Sequence, residues 1–187
     1  MTSPHSVGIF VGSLRKEAYS RRIATWLKSN APASLVMNIV EIGALPLYDP
    51  DLDDGVVPVA WTRFREAVAA VDAVLFVTPE YNRSVPAALK NALDVGSRPY
   101  GASVWAGKPG AVVSVSPGGI GGFGANHHLR QSLVFLDVPT LQQPEVYLGH
   151  VDRLFDLSGD LTDENTHAFL TAFLAAFAAW TATNLRR

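Results

Sequence analysis

The chain has 187 residues, 48% of them apolar, with 15 Lys and Arg against 17 Asp and Glu and no cysteine. That length buries a core without covalent staples, and the missing cysteines exclude disulfides, thiol nucleophiles, thiolate-bound metals and iron–sulfur clusters. A formal charge of −2 argues against a nucleic-acid surface, and with no composition break a single domain over residues 1–187 is expected.

Short apolar runs alternate with helical patterns. Residues 7–11 read as a first strand, and 20–29 as a helix with Ile23, Ala24 and Leu27 on one face. A second strand is expected over 35–40, then a Pro- and Asp-rich loop over 45–58. Phe64, Ala67, Val68 and Val71 give 60–71 a helical period, and 72–77 is the third strand. A helix follows over 86–95, a fourth strand over 111–115, and a helix over 124–136 carrying Leu129, Leu133 and Leu136. The fifth strand is expected to begin within 138–141.

The last helix is predicted over 163–182, with Thr162 as N-cap and Asp163 and Glu164 at the positive end of its dipole. Arg186 and Arg187 lie beyond its other end. Its apolar stretch over 168–182 is too short to span a bilayer and is interrupted by threonines, so a buried docking helix is expected. The N-terminus carries no basic segment followed by a long apolar one, so neither a signal peptide nor a membrane partner is expected. The absent cysteines fit a cytoplasmic location.

Near-continuous apolar strands alternating with helices predict a parallel sheet covered on both faces. Five strands favour a flavodoxin-like three-layer α/β sandwich, strand order 2-1-3-4-5, over the six-stranded dinucleotide fold. In such a sheet ligands bind beyond the carboxyl ends of the strands.

Two loops stand at such ends. Thr78-Pro79-Glu80-Tyr81-Asn82-Arg83-Ser84-Val85-Pro86 links the third strand to its helix, with two prolines fixing its path. Gly12-Ser13-Leu14-Arg15-Lys16-Glu17-Ala18-Tyr19-Ser20 ends where the first helix begins. Free backbone N–H groups at a helix start bind anions, Ser13 and Ser20 can donate hydroxyl bonds, and Arg15 can pair with a phosphate. A capped helix start with solvated basic residues is the competing reading of the same residues. The nucleotide P-loop pattern is absent. A G-x-G-x-x-G run over 119–124 follows the fourth strand rather than the first, so it reads as a glycine-rich loop and not a dinucleotide fingerprint.

These segments in order resemble the NADPH-dependent FMN reductases, the group that includes bacterial quinone, azo-dye and chromate reductases. The likeness runs through Leu45-Pro46-Leu47-Tyr48-Asp49, Thr78-Pro79-Glu80-Tyr81-Asn82, Leu89-Lys90-Asn91-Ala92-Leu93-Asp94 and Ser116-Pro117-Gly118-Gly119. It continues through His128-Leu129-Arg130-Gln131 to Pro144-Glu145. The resemblance implies bound FMN, NADPH or NADH as co-substrate, small-molecule electron acceptors, and a homodimer or homotetramer. It implies that Ser13, Arg15 and Ser20 hold the FMN phosphate, that Pro79, Glu80, Tyr81 and Asn82 hold the ribityl chain and ring, and that Ser116 and Gly119 flank the other side. Leu47 and Tyr48 would wall the flavin site of a partner subunit. The family's usual loop has serine where Ala18 stands and asparagine where Ser20 stands, which thins the phosphate site.

The activity this implies is ping-pong hydride transfer from NADPH to FMN, followed by reduction of quinones, flavins, azo compounds or chromate. Flavin carries that chemistry, so no catalytic acid or base is required, and Tyr81 is expected to contribute shape. A flavodoxin-type electron carrier is the alternative; the near-neutral charge counts against it. The 2′-phosphate of NADPH calls for a basic partner, for which Arg15, Arg83 and Lys108 are the candidates. No metal site is expected: His127 and His128 are adjacent on a helix and point about 100° apart. Asp49, Asp51, Asp53 and Asp54 lack the glycine and glutamate spacing of a calcium loop. Glu145 reads equally as an oligomer contact or an exposed strand-end carboxylate, and Trp105 is expected at a lid or interface.

Overall fold

A computed structural model describes residues 3–185 of the chain; Arg186 and Arg187 lie outside the described residues. The strands are β1 (His5–Val11), β2 (Leu35–Ile39), β3 (Ala73–Pro79), β4 (Gly110–Val115) and β5 (Val146–Leu148). The helices are α1 (Tyr19–Ser29), α2 (Pro50–Asp53), α3 (Val59–Ala69), α4 (Ala87–Gly96), α5 (Phe123–Phe135) and α6 (Glu164–Asn184). All strand pairings are parallel, in the order β2-β1-β3-β4-β5, as the alternation predicts.

The two-residue period of the strands sorts the core into two layers. Val7, Ile9 and Val11 of β1, with Leu75 and Val77 of β3, pack under Ile23 and Leu27 of α1 and Leu170, Phe173 and Phe177 of α6. Phe10 and Phe76 face the other way, against Phe64 of α3, Leu89 of α4 and Leu129 of α5. Trp105 belongs to this second layer. It is fully buried, edge-on to Phe10 at 5.0 Å, and its indole N–H donates to the Leu93 carbonyl at 3.1 Å. It is therefore a core residue rather than a lid or interface residue.

Three further local expectations change. The fifth strand is Val146–Leu148, while Thr140 makes only an isolated bridge to Gly110. Pro139 has no N–H to give a ladder, so the buried Val138 and Leu141 belong to a connection and not to a strand. Just before them Asp137, at φ 56°, turns the chain after α5, and its carbonyl accepts the Gly107 N–H at 2.8 Å. Asp163, not Thr162, caps α6, its carboxylate accepting the Thr166 N–H at 2.7 Å. At 21 residues α6 is long and apolar enough to cross a membrane by length and composition, so length does not decide its role. One face of it packs on the sheet through Leu170, Phe173, Leu174 and Phe177.

Candidate cofactor site

The chain runs from β1 to β2 on one side and returns to β3 on the other, so a crevice opens where β1 and β3 end. The loops leaving β1, β3 and β4 meet there around a cavity of about 160 Å³. Ser13, Arg15, Ser20, Pro79, Glu80, Tyr81 and Ser116 all line it. Asn82 and Gly119 do not. Tyr19 and Pro117, which fall within two of the loop motifs without an assigned role, and Val151, which no sequence pattern singled out, also line it.

The floor of the cavity is the start of α1. Its N-cap is Ala18, which has no side chain able to satisfy the first turn. The Ser20 hydroxyl is buried with no hydrogen-bond partner. Ser13 is also buried, its hydroxyl accepting the Arg15 N–H at 3.3 Å and facing the Tyr81 hydroxyl at 3.5 Å. Arg15 is exposed at the rim. A helix end that keeps its donors and the positive end of its dipole, beside an orphaned hydroxyl and a guanidinium, fits a phosphate group.

The opposite wall is a tight hairpin. Tyr81 and Ser84 exchange two backbone hydrogen bonds, at 3.0 and 2.9 Å, and Asn82 and Arg83 between them have φ 50° and 63°. This is the two-residue turn in which both central residues are left-handed. Asn82 is thus a turn residue. The Glu80 carboxylate accepts the Ala125 N–H at 3.1 Å, fastening the hairpin to the first turn of α5. On the third side, the Ser116 hydroxyl accepts the Gly118 N–H at 3.0 Å, and His150 at φ 49° lies against Gly119. The signal for His150 was its place just beyond the fifth strand, legible only once that strand is set at Val146–Leu148.

On α5, His127 meets the Tyr147 hydroxyl at 2.9 Å and His128 meets the Ser84 hydroxyl at 2.9 Å, so the adjacent histidines point to different neighbours. Burial, then the neighbouring Glu145 carboxylate, push the Tyr147 phenol up to about 12. A larger cavity of about 540 Å³ lies between α4 and α5, around Lys90, Asp94, Ser97 and Arg98. Its walls are the flanks of α4 and α5 with Ser84 and Val85 of the loop after β3, whereas the uncapped start of α1, Arg15 and the orphaned Ser20 hydroxyl converge on the smaller one.

Fold and site together define a flavodoxin-like protein shaped for a phosphate-bearing ligand at its switch point. The sequence profile described as NADPH-dependent FMN reductase matches residues 5–153. A quinone reductase of Pseudomonas putida is 61% identical over 98% of both chains. A 2-hydroxy-1,4-benzoquinone reductase of Burkholderia sp is 44% identical over 93% of this chain and 94% of its own. Among solved structures, the flavoenzyme NAD(P)H:(acceptor) oxidoreductase FerB of Paracoccus denitrificans superposes with a TM-score of 0.90 at 37% identity, over 96% of this chain and 98% of that one. The chain belongs to the NADPH-dependent FMN reductase family. Its cofactor is FMN and its co-substrate NAD(P)H, and the uncapped α1 and orphaned Ser20 hydroxyl fit that cofactor's phosphate.

Proposed function

We propose that this chain, acting as one FMN-binding domain, is an FMN-dependent NAD(P)H quinone reductase in which co-substrate and acceptor use the same space in turn, a ping-pong order. One observation carries the reading: α1 begins at the switch point without a side-chain cap and beside the unpartnered Ser20 hydroxyl. Ser13, Arg15 and Ser20 hold the FMN phosphate. Pro79, Glu80, Tyr81 and Asn82 grip the ribityl chain and ring from one side, and Ser116 and Gly119 flank the other.

Bound FMN supplies the redox chemistry, taking a hydride from NAD(P)H and passing two electrons to the acceptor. The chain's own residues bind and orient. The Tyr81 N–H is taken by the Ser84 carbonyl, so the backbone N–H groups of Asn82 and Gly119 are the donors that would oppose negative charge on a bound, reduced ring. The Gly118 N–H is already taken by Ser116 and contributes to loop shape instead. Glu80 is committed to Ala125, so it orders the loop and does not carry protons. Tyr81 contributes shape.

Quinones are the favoured acceptors because relatives across the whole length carry that name. Free flavins, azo compounds and chromate are further acceptors for an open site of this kind. Exposed apolar side chains at Leu47, Val134 and Phe135 support assembly as a homodimer or homotetramer, and the absence of cysteine supports a cytoplasmic location.

The test is anaerobic stopped-flow mixing of FMN-loaded protein with NADPH or NADH, then with benzoquinone. Rapid bleaching of the flavin band followed by its return on adding quinone is expected. No bleaching with either coenzyme overturns the enzyme reading, and bleaching far slower than turnover by a reductase makes the protein an electron carrier.

A further inference from the structure

Three basic side chains are candidates for the 2′-phosphate that separates NADPH from NADH, and the fold separates them. Lys108 precedes β4, at the end of the sheet remote from the site, and its ammonium donates to the Ala69 and Val71 carbonyls. Arg15 lines the cavity at the start of α1, where the cofactor's own phosphate would engage it. Arg83 stands apart from that cavity, at the tip of the hairpin, with its side chain 76% exposed. Its acidic neighbour is Glu80, at 3.6 Å, beyond a good hydrogen bond, and the other Glu80 oxygen already accepts the Ala125 N–H. Most of the guanidinium's donors therefore face outward.

The backbone at this position adds a second, independent observation. Arg83 has φ 63°, the second central position of a turn type that favours glycine. A left-handed L-residue is held there at a cost, and such cost concentrates where a side chain serves function. A guanidinium matches a phosphate with two parallel charge-assisted bonds.

We infer that Arg83 is a specificity residue that recognises the 2′-phosphate of NADPH as it enters over the hairpin. The inference rests on the NAD(P)H reading above. The tip of the loop presents the charge, and the Glu80–Ala125 bond keeps the loop from following it.

Arg83→Gly tests this cleanly, because glycine suits the backbone while removing the cation. Wild type, Arg83→Gly and Arg83→Lys are compared as FMN-loaded proteins, by kcat/KM for NADPH and for NADH with saturating benzoquinone at low and high salt. In Arg83→Gly, NADPH efficiency is expected to fall about tenfold or more and to lose its salt dependence. NADH efficiency is expected to stay within about twofold, and the melting temperature to hold or rise. Arg83→Lys, a point charge without the fork, is expected to fall between the two. An unchanged NADPH/NADH ratio, or an equal fall with both coenzymes, overturns the inference while leaving the reductase reading intact. Failure of the wild-type protein to oxidise either coenzyme overturns the reading itself.

Discussion

The Glu80 carboxylate meets the Ala125 backbone N–H at 3.1 Å, and that bond joins the loop after β3 to the first turn of α5. Close approach makes it possible: a Cβ on Gly124 would fall 2.7 Å from the Arg83 carbonyl oxygen and 2.9 Å from the Glu80 carboxylate. The hairpin wall of the site and the first turn of α5 are therefore one mechanical unit.

Glu80→Ala would leave the Ala125 donor without its acceptor, a loss of about 1–3 kcal/mol. Glu80→Gln retains an acceptor oxygen and is expected to lose less. Urea unfolding of the FMN-free proteins measures both. Equal midpoints for Glu80→Ala and wild type would show that the tie contributes no stability.

Ser20→Ala should separate folding from binding. The hydroxyl is buried without a partner, so its removal is expected to leave FMN-free stability unchanged or slightly higher. A charge-assisted bond to phosphate is worth about 1.5–3 kcal/mol, so FMN affinity should weaken about tenfold or more by fluorescence titration. Unaltered affinity would remove Ser20 from the phosphate site.

The Pro- and Asp-rich loop is anchored by Arg65, which makes a two-pronged bond to Asp53 at 2.8 and 2.7 Å, with both side chains largely buried. The Arg65 hydrogen bonds, helped by Tyr48, hold the Asp53 carboxyl below its ordinary value. A depressed folded value means stability that is present above the unfolded value, about 3.9, and lost as pH falls through the lower folded one. The gap in urea midpoint between wild type and Asp53→Asn is expected to be constant above about pH 5 and to close below about pH 4. A gap that persists at the acid end would contradict the pairing. Arg65→Met, which strands the aspartate, is expected to cost about 3–5 kcal/mol at neutral pH.

Much of this architecture was legible in the chain because its signals are local and periodic. The apolar run ending at Val77, the prolines at 79 and 86, and the alternation of strands with helices predicted the sheet and its order. Ser13, Arg15, Ser20, Pro79, Glu80, Tyr81 and Ser116 do meet around one cavity. The errors fall where a local pattern is ambiguous. Val138 and Leu141 are as apolar as a strand, and only the ladder opposite β4 picks Val146–Leu148 instead. Trp105 sits in a Gly- and Ser-rich connection that looks exposed, yet the connection folds inward and buries it against Phe10.

Sequence alone determined the class of fold, the family, and which loops meet at the crevice, since hydrophobic period, turn chemistry and motif order are all written along the chain. Tertiary structure decided what each polar group in those loops does. Whether Glu80 points at a ligand or caps α5, whether Ser20 is satisfied, and which of three cations faces outward depend on atoms far apart in sequence. The Glu80–Ala125 bond spans 45 residues, and a contact of that range follows from packing the whole sheet, which no local pattern encodes.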